Sequence, residues 1–237
     1  MSDNTGIRKF EERWVFDEVR QASGGEVQGK SLFWHWPGLL SDDVCDLIIK
    51  EGKALPQLEG GINVPDEGNK SHHRELHEDL RKSMSTFFPV KNWITGVCLY
   101  YGHLANQYAW HYDLGWPEPI QFSQYGVGDH YTWHIDSIPN TYTKKEWEWI
   151  RKSGYNPAWY DHAQRKLSLT VNLSDPTTYE GGDVEFLGMM GGIHNNQDLR
   201  QRGTVIAFPS FVKHRVTKVT KGKRCSLVVW ITGAPFK

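Results

Sequence analysis

The stretch Gly128-Asp129-His130-Tyr131-Thr132-Trp133-His134-Ile135-Asp136-Ser137 reads as a β-strand running into a turn. Side chains alternate faces along a strand, so His134 and Asp136 point the same way. On an inward face the imidazole and the carboxylate would sit together away from water, an unfavourable pair unless a cation lies between them. The strand has many neighbours of its own kind. From about residue 93 the chain breaks into short β-branched and aromatic runs: "WITGVCLYY", "IQFSQY", "YTWHID", "RKLSLTVNLS", "GDVEFLG", "GTVIAFPS", "VKHRVTKVT" and "RCSLVVWITG". Punctuated by Gly, Pro and Asp, they predict an antiparallel sandwich or barrel such as a jelly roll.

Upstream the pattern is helical. Ser41 is placed to cap a helix with Val44, Leu47, Ile48 and Leu55 on one face. A second helix is expected near residues 72–88, where Leu76, Leu80, Met84 and Phe87 fall at helical spacing before Pro89. The intervening "EGGINVPDEGNKS" reads as a loop. The expected class is therefore mostly β with supporting helices. An N-terminal helical support region over residues 1–92 would pack on a β core over residues 93–237, in one compact domain. The connection 138–164 is far longer than a hairpin needs and is rich in Trp and Tyr, as lids and binding loops often are.

Composition narrows the class. Lys plus Arg number 27 against 28 Asp plus Glu, so no charge excess points to a nucleic acid or a membrane surface. The start, "MSDNTGIRKFEERW", lacks the apolar region of a secretory signal, and no apolar run approaches the roughly 18 residues of a membrane span. Cys45, Cys98 and Cys225 are scattered and not in CxxC spacing, which fits a reducing cytoplasm better than a disulfide framework.

The histidines must be sorted. His72, His73 and His77 are expected on a charged helix face, and His194 in a Gly/Asn loop. Two H-x-D triplets occur, His111-Tyr112-Asp113 and His134-Ile135-Asp136, and alone each is a weak signal. The second has company downstream: the turn "YEGGDVEF", then His214 after an apolar strand and a Pro-Ser turn, then Arg224 at the head of a strongly apolar strand. Two histidines and one carboxylate on one face of a metal leave several positions open, the pattern of non-haem Fe(II) sites. A catalytic zinc would more usually keep one position open. Arg224 on an inward face needs a partner, and a dicarboxylate supplies one through a bidentate contact. Ser226, two residues on, shares that face. The plain alternative is a solvated basic turn with Lys221 and Lys223.

Taken in order, Tyr125, Tyr131-x-x-His134-x-Asp136, "LSLTVNLSDPTTYEGGDVEF" and "GTVIAFPSFVKHRVTKVTKGKR" resemble the Fe(II)/2-oxoglutarate-dependent dioxygenases, in particular the prolyl 4-hydroxylase-like, PKHD-type group. The resemblance covers roughly residues 93–233. It implies a double-stranded β-helix with the metal at its open end, His134, Asp136 and His214 as iron ligands, and Arg224 on the distal carboxylate of 2-oxoglutarate. Tyr125, Val216 and Trp230 would lie beside the co-substrate. Tyr131 would face the substrate, with Trp147, Trp159 or Tyr160 in a closing loop. The implied cofactors are Fe(II), 2-oxoglutarate and O2, with ascorbate as reductant. The implied reaction hydroxylates an unactivated C–H bond, most simply of a prolyl residue in a protein or peptide, and releases succinate and CO2. A small-molecule hydroxylase of the same chemistry and a non-catalytic cupin-like binding module are the alternatives. A nucleic-acid demethylase would carry a second arginine where this chain has Trp230, and a zinc hydrolase would need a general base that is not evident.

Overall fold

The computed structural model describes residues 32–65, 72–137, 163–188, 191–195, 197–234 and 236, with residues 62–75 described by backbone alone. The order of elements is β1 (Trp34–Trp36), α1 (Asp42–Ala54), β2 (Leu58–Glu59), β3 (Ile62–Pro65), β4 (His72–Glu75), β5 (Arg81–Lys82), β6 (Met84–Phe88), α2 (Trp93–Ala109), β7 (Ile120–Tyr125) and β8 (His130–His134). There follow β9 (Gln164–Asn172), β10 (Tyr179–Gly181), β11 (Val184–Leu187), β12 (Ile193–His194), a 3-10 turn (Gln197–Arg200), β13 (Val205–Pro209), β14 (His214–Val216), β15 (Val219–Gly222) and β16 (Arg224–Gly233).

A seven-stranded sheet in the order β1-β13-β9-β16-β7-β6-β2 faces a five-stranded one in the order β12-β11-β14-β8-β5. Neighbouring strands are antiparallel throughout, and the architecture is the expected double-stranded β-helix. The large sheet has two different faces. Cys225, Leu227, Val229 and Ile231 of β16, with Leu167, Leu169 and Val171 of β9, join the core formed with Ile48 of α1 and Ile94 and Tyr101 of α2. Each fully buried Leu or Ile there contributes on the order of 1.5–3 kcal/mol. The other face of the same strands lines the barrel interior. Val184, Phe186, Ile206, Phe208, Leu199 and Val212 close it with a second, smaller apolar cluster.

Three segments depart from the sequence reading. The run 93–101 is not a strand but the first half of α2, capped by Asn92, whose side chain accepts from the Ile94 N–H at 2.9 Å. Ile94, Val97, Cys98, Tyr101, Gly102 and Ala105 form its buried stripe, at the spacing of one helix face. Gly102 sits so close to the sheet that a Cβ would press on Ile231 and Leu169. The segment 72–88 is not a helix but carries β4, β5 and β6. Arg81, Ser83 and Ser85 point in while Leu80, Lys82 and Met84 point out, because pairing with β8 and β7 outweighs the helix-like spacing of its apolar residues. The run read as a loop contains β3, which pairs with β4. The first helix is as expected, except that Leu47 faces solvent and the Ser41 side chain makes no capping bond. Strands β1, β2 and β6, all from the first 92 residues, belong to the same large sheet as β9 and β16.

Candidate metal centre

His134 ends β8 and His214 begins β14, and the two are Cα partners across the ladder. A bulge lies between them and the next pair, Val216 and Tyr131. That extra residue brings Tyr131, three positions before His134, round to the same side. The Tyr131 and His134 rings stack, centroids 3.4 Å apart. The two imidazole centroids are 4.2 Å apart. Asp136, only 7% exposed, places Oδ1 3.8 Å from His134 Nε2 and Oδ2 3.6 Å from His214 Nε2. Ligand atoms of the three residues all lie within 4.8 Å of one another.

The far side of each ring decides what its near side offers. His134 Nδ1 lies 2.7 Å from the carbonyl of Thr132, and His214 Nδ1 lies 2.9 Å from that of Val212. A carbonyl only accepts, so each Nδ1 carries the hydrogen and each Nε2 presents a lone pair. Burial, reinforced by the adjacent His214, pushes His134 down to about 3, so at neutral pH the ring is uncharged. The contact with Asp136 is therefore no ion pair. Burial alone would push the Asp136 carboxyl up, but the two imidazoles, Arg165 and a Ser168 hydroxyl outweigh it and hold it below the usual range. Its Oδ2 is buried and, among the described residues, has no hydrogen-bond partner. Two lone pairs and an orphaned carboxylate oxygen converging on one point suit a divalent cation.

Beside this cluster lies a second group. Arg224, 2% exposed, opposes Tyr125 across the β16–β7 pair and lies 5.7 Å from the centre of its ring. Its Nη1 donates to Ser226 Oγ at 3.1 Å. Among the described residues no carboxylate pairs with it, an unfavourable state for a buried guanidinium unless an anionic ligand completes it. Ser226 in turn opposes Asn172 and Ser123. Gly182, with φ of 65°, lets Arg224 lie flat: a Cβ there would stand 3.0 Å from its Cδ. Phe208 of the large sheet meets the His214 ring of the small one at 4.6 Å between centroids, so both groups face the same interior.

A family model described as the 2OG-Fe(II) oxygenase superfamily matches residues 120–232, the run from β7 into β16 that carries both groups. Over those residues the chain is similar to that superfamily. A PKHD-type hydroxylase from Pseudoalteromonas atlantica is 32% identical over 117 residues, covering 48% of this chain and 42% of the relative. The chain thus spans less than half the length of that relative. The PKHD-type hydroxylase YbiX of Escherichia coli O157:H7 is 21% identical over 203 residues, 84% of this chain and 77% of its own. Among solved structures, a prolyl hydroxylase in complex with a hypoxia inducible factor oxygen degradation domain peptide fragment from Trichoplax adhaerens aligns with a TM-score of 0.65. It covers 93% of each chain at 10% identity, a likeness of fold. Similarity to the 2OG-Fe(II) oxygenases points to Fe(II), 2-oxoglutarate and O2, and the His134–Asp136–His214 cluster fits iron.

Of the residues singled out in the sequence, the fold brings together His134, Asp136 and His214, with Tyr131 stacked on the first. Tyr125, Arg224 and Ser226 meet beside them. Val216 is half-buried on β14, and Trp230 is buried on β16. The triplet His111–Asp113 stays apart, exposed after α2 and outside the cluster. Trp147, Trp159 and Tyr160 lie outside the described residues. Sequence reasoning missed two further guanidiniums, that of Arg81 buried and that of Arg165 largely buried. Arg81 reaches Ser83, Ser85 and the Gly61 carbonyl and lies 4.9 Å from the Tyr131 ring centre. Arg165 is stacked on Trp230. The available signal for Arg165 was the one used for Arg224, an arginine at the head of an apolar strand. Among the described residues, no helix is long and apolar enough to cross a membrane.

Proposed function

We propose that this chain is an Fe(II)- and 2-oxoglutarate-dependent hydroxylase acting on a prolyl residue of a protein or peptide, with succinate and CO2 as co-products. His134 and His214 would bind iron through Nε2 and Asp136 through its carboxylate. Arg224 would grip the distal carboxylate of 2-oxoglutarate, with Ser226 and Tyr125 beside it and Val216 and Trp230 as apolar walls. The observation that carries this reading is the orphaned Oδ2 of Asp136 between two imidazoles whose Nε2 lone pairs point the same way. Bound iron would supply the oxidising power that couples decarboxylation of the co-substrate to C–H hydroxylation. The chain's own part is orientation and exclusion of water. The carbonyls of Thr132 and Val212 fix the rings, Tyr131 covers one face of His134, and Arg224 defines which end of a diacid enters first. The prolyl assignment is supported by the names of the relatives and of the structural neighbour, whose bound partner is a peptide. Ascorbate is the reductant expected to sustain turnover. The free thiols Cys45, Cys98 and Cys225 suit a reducing compartment such as the cytoplasm.

The test is succinate formation from 2-oxoglutarate by the iron-loaded protein with proline-containing peptides and, in parallel, free proline, read together with a gain of about 16 Da by mass spectrometry. Turnover should require Fe(II) and vanish in His134→Ala. Iron-loaded protein that binds no 2-oxoglutarate under anaerobic titration ends the proposal. A mass gain on free proline but on no peptide transfers the assignment to a small-molecule substrate.

A further inference from the structure

Arg165 heads β9 with its guanidinium inside the barrel. Nε donates to Glu118 Oε1 at 2.6 Å and Nη2 to Glu118 Oε2 at 2.7 Å, a two-point fork. The guanidinium carbon lies 3.8 Å from the centre of the Trp230 ring. Glu118, itself 7% exposed, is tied to the same tryptophan, since its N–H donates to the Trp230 carbonyl at 2.8 Å. The remaining arm of the guanidinium, Nη1, donates to the backbone carbonyl of Asp136 at 3.3 Å.

Asp136 lies just past the end of β8, where no ladder fixes its peptide. Its N–H donates to the Ser210 carbonyl at 2.9 Å, and its carbonyl is held by Arg165. That arrangement carries a hazard. A largely buried guanidinium this near an orphaned carboxylate oxygen would gain more from pairing with the carboxylate than with a carbonyl, because charge-assisted forks are the stronger bonds. Such a pair would occupy the oxygen a metal needs. Glu118 removes the incentive by filling the fork.

Resting on the reading of His134, Asp136 and His214 as metal ligands, we propose that Glu118 is a positioning residue that holds Arg165 off the Asp136 carboxylate and onto its backbone, keeping that carboxylate free for metal. Two consequences separate this from a merely structural salt bridge. Loss of the Glu118 charge releases Arg165 to compete with metal. Subsequent loss of the Arg165 charge removes the competitor, so the second substitution repairs the first.

The measurement is Co(II) binding to chelator-stripped protein, by calorimetry and by the visible absorption of the bound ion, for wild type, Glu118→Gln and Glu118→Gln/Arg165→Gln. Glu118→Gln should bind about tenfold to 100-fold more weakly, the usual effect of losing a group that orients a ligand, with an altered Co(II) spectrum. The double variant should recover most of the affinity and the wild-type spectral shape. Circular dichroism and thermal melts establish that each variant is folded. Should Glu118→Gln fail to fold, Glu118→Asp, which keeps the charge and strains the fork, should fall between wild type and full loss. Glu118→Gln, or Glu118→Asp in its place, binding Co(II) like wild type overturns the inference, as does a double variant no better than the single one. Wild-type protein that binds no Co(II) or Fe(II) overturns the ligand reading itself, and this inference with it.

Discussion

The carbonyls of Thr132 and Val212 decide which imidazole nitrogens of His134 and His214 are free, and burial decides that His134 stays uncharged. This has a consequence for the metal-free protein in acid. Unfolded, His134 takes up a proton near its ordinary 6.5; folded, it resists down to about 3. The unfolded state binds more protons across that window, so stability is whole above the upper value and drains away as pH falls toward the lower. Asp136, held below its ordinary 3.8, adds a loss of the same sign at the acid end as pH falls through its folded value. At pH 5 the histidine contribution is about 2 kcal/mol. Urea denaturation of chelator-treated protein at pH 7.5 and pH 5 should show the wild type losing about that much more than His134→Gln. Equal losses in the two proteins would mean that His134 is protonated in the fold. The triad was legible because its clues are local: a strand, an H-x-D triplet, and a histidine after a Pro-Ser turn. The Arg165–Glu118 fork was not, since its members lie 47 positions apart and meet only once β9 has closed the barrel.

At the scale of elements, strands beyond residue 120 were readable because their two faces differ in chemistry. Ser168, Thr170 and Asn172 alternate with Leu167, Leu169 and Val171 along β9, so polarity has period two although both faces are buried. Helix α2 deceived because β-branched and aromatic residues crowd its first nine positions, while its stripe of buried side chains emerges only over the full span Trp93–Ala109. Segment 72–88 deceived in the opposite way, its partners β7 and β8 being remote in sequence. The seating of α2 can be tested with one substitution at two sites. Gly102 presses on Ile231 and Leu169, so Gly102→Leu should destabilise by about 1–3 kcal/mol through overpacking. At exposed Gly96 nothing lies within 4 Å of an added Cβ. Gly96→Leu should therefore stabilise by up to about 1 kcal/mol through helix propensity. Denaturant midpoints that move equally for both would show that the helix does not lie on the sheet through Gly102.

Considered as a whole molecule, the fold has its apolar cores apart from the proposed metal site. One apolar layer fills the space between the large sheet and the two helices, and a second plugs the barrel beneath Phe186 and Phe208. Neither includes a member of the triad. In small metal-organised domains the ion supplies most of the folding free energy, whereas here the ligands are pre-placed by β8 and β14 and their carbonyl contacts. Chelator-stripped protein should consequently keep its far-UV dichroism and a cooperative melt. Restoring Co(II) to about 100 times its Kd should add about 2.7 kcal/mol. For a chain of 237 residues, at about 2–4 °C per kcal/mol, that is a rise in Tm on the order of 5–10 °C. His134→Ala should melt at one temperature whether or not Co(II) is present. A stripped wild type without a cooperative melt would make the ion structural. A wild type whose Tm ignores Co(II) would leave the orphaned oxygen of Asp136 without the occupant that its two imidazole neighbours were arranged to share.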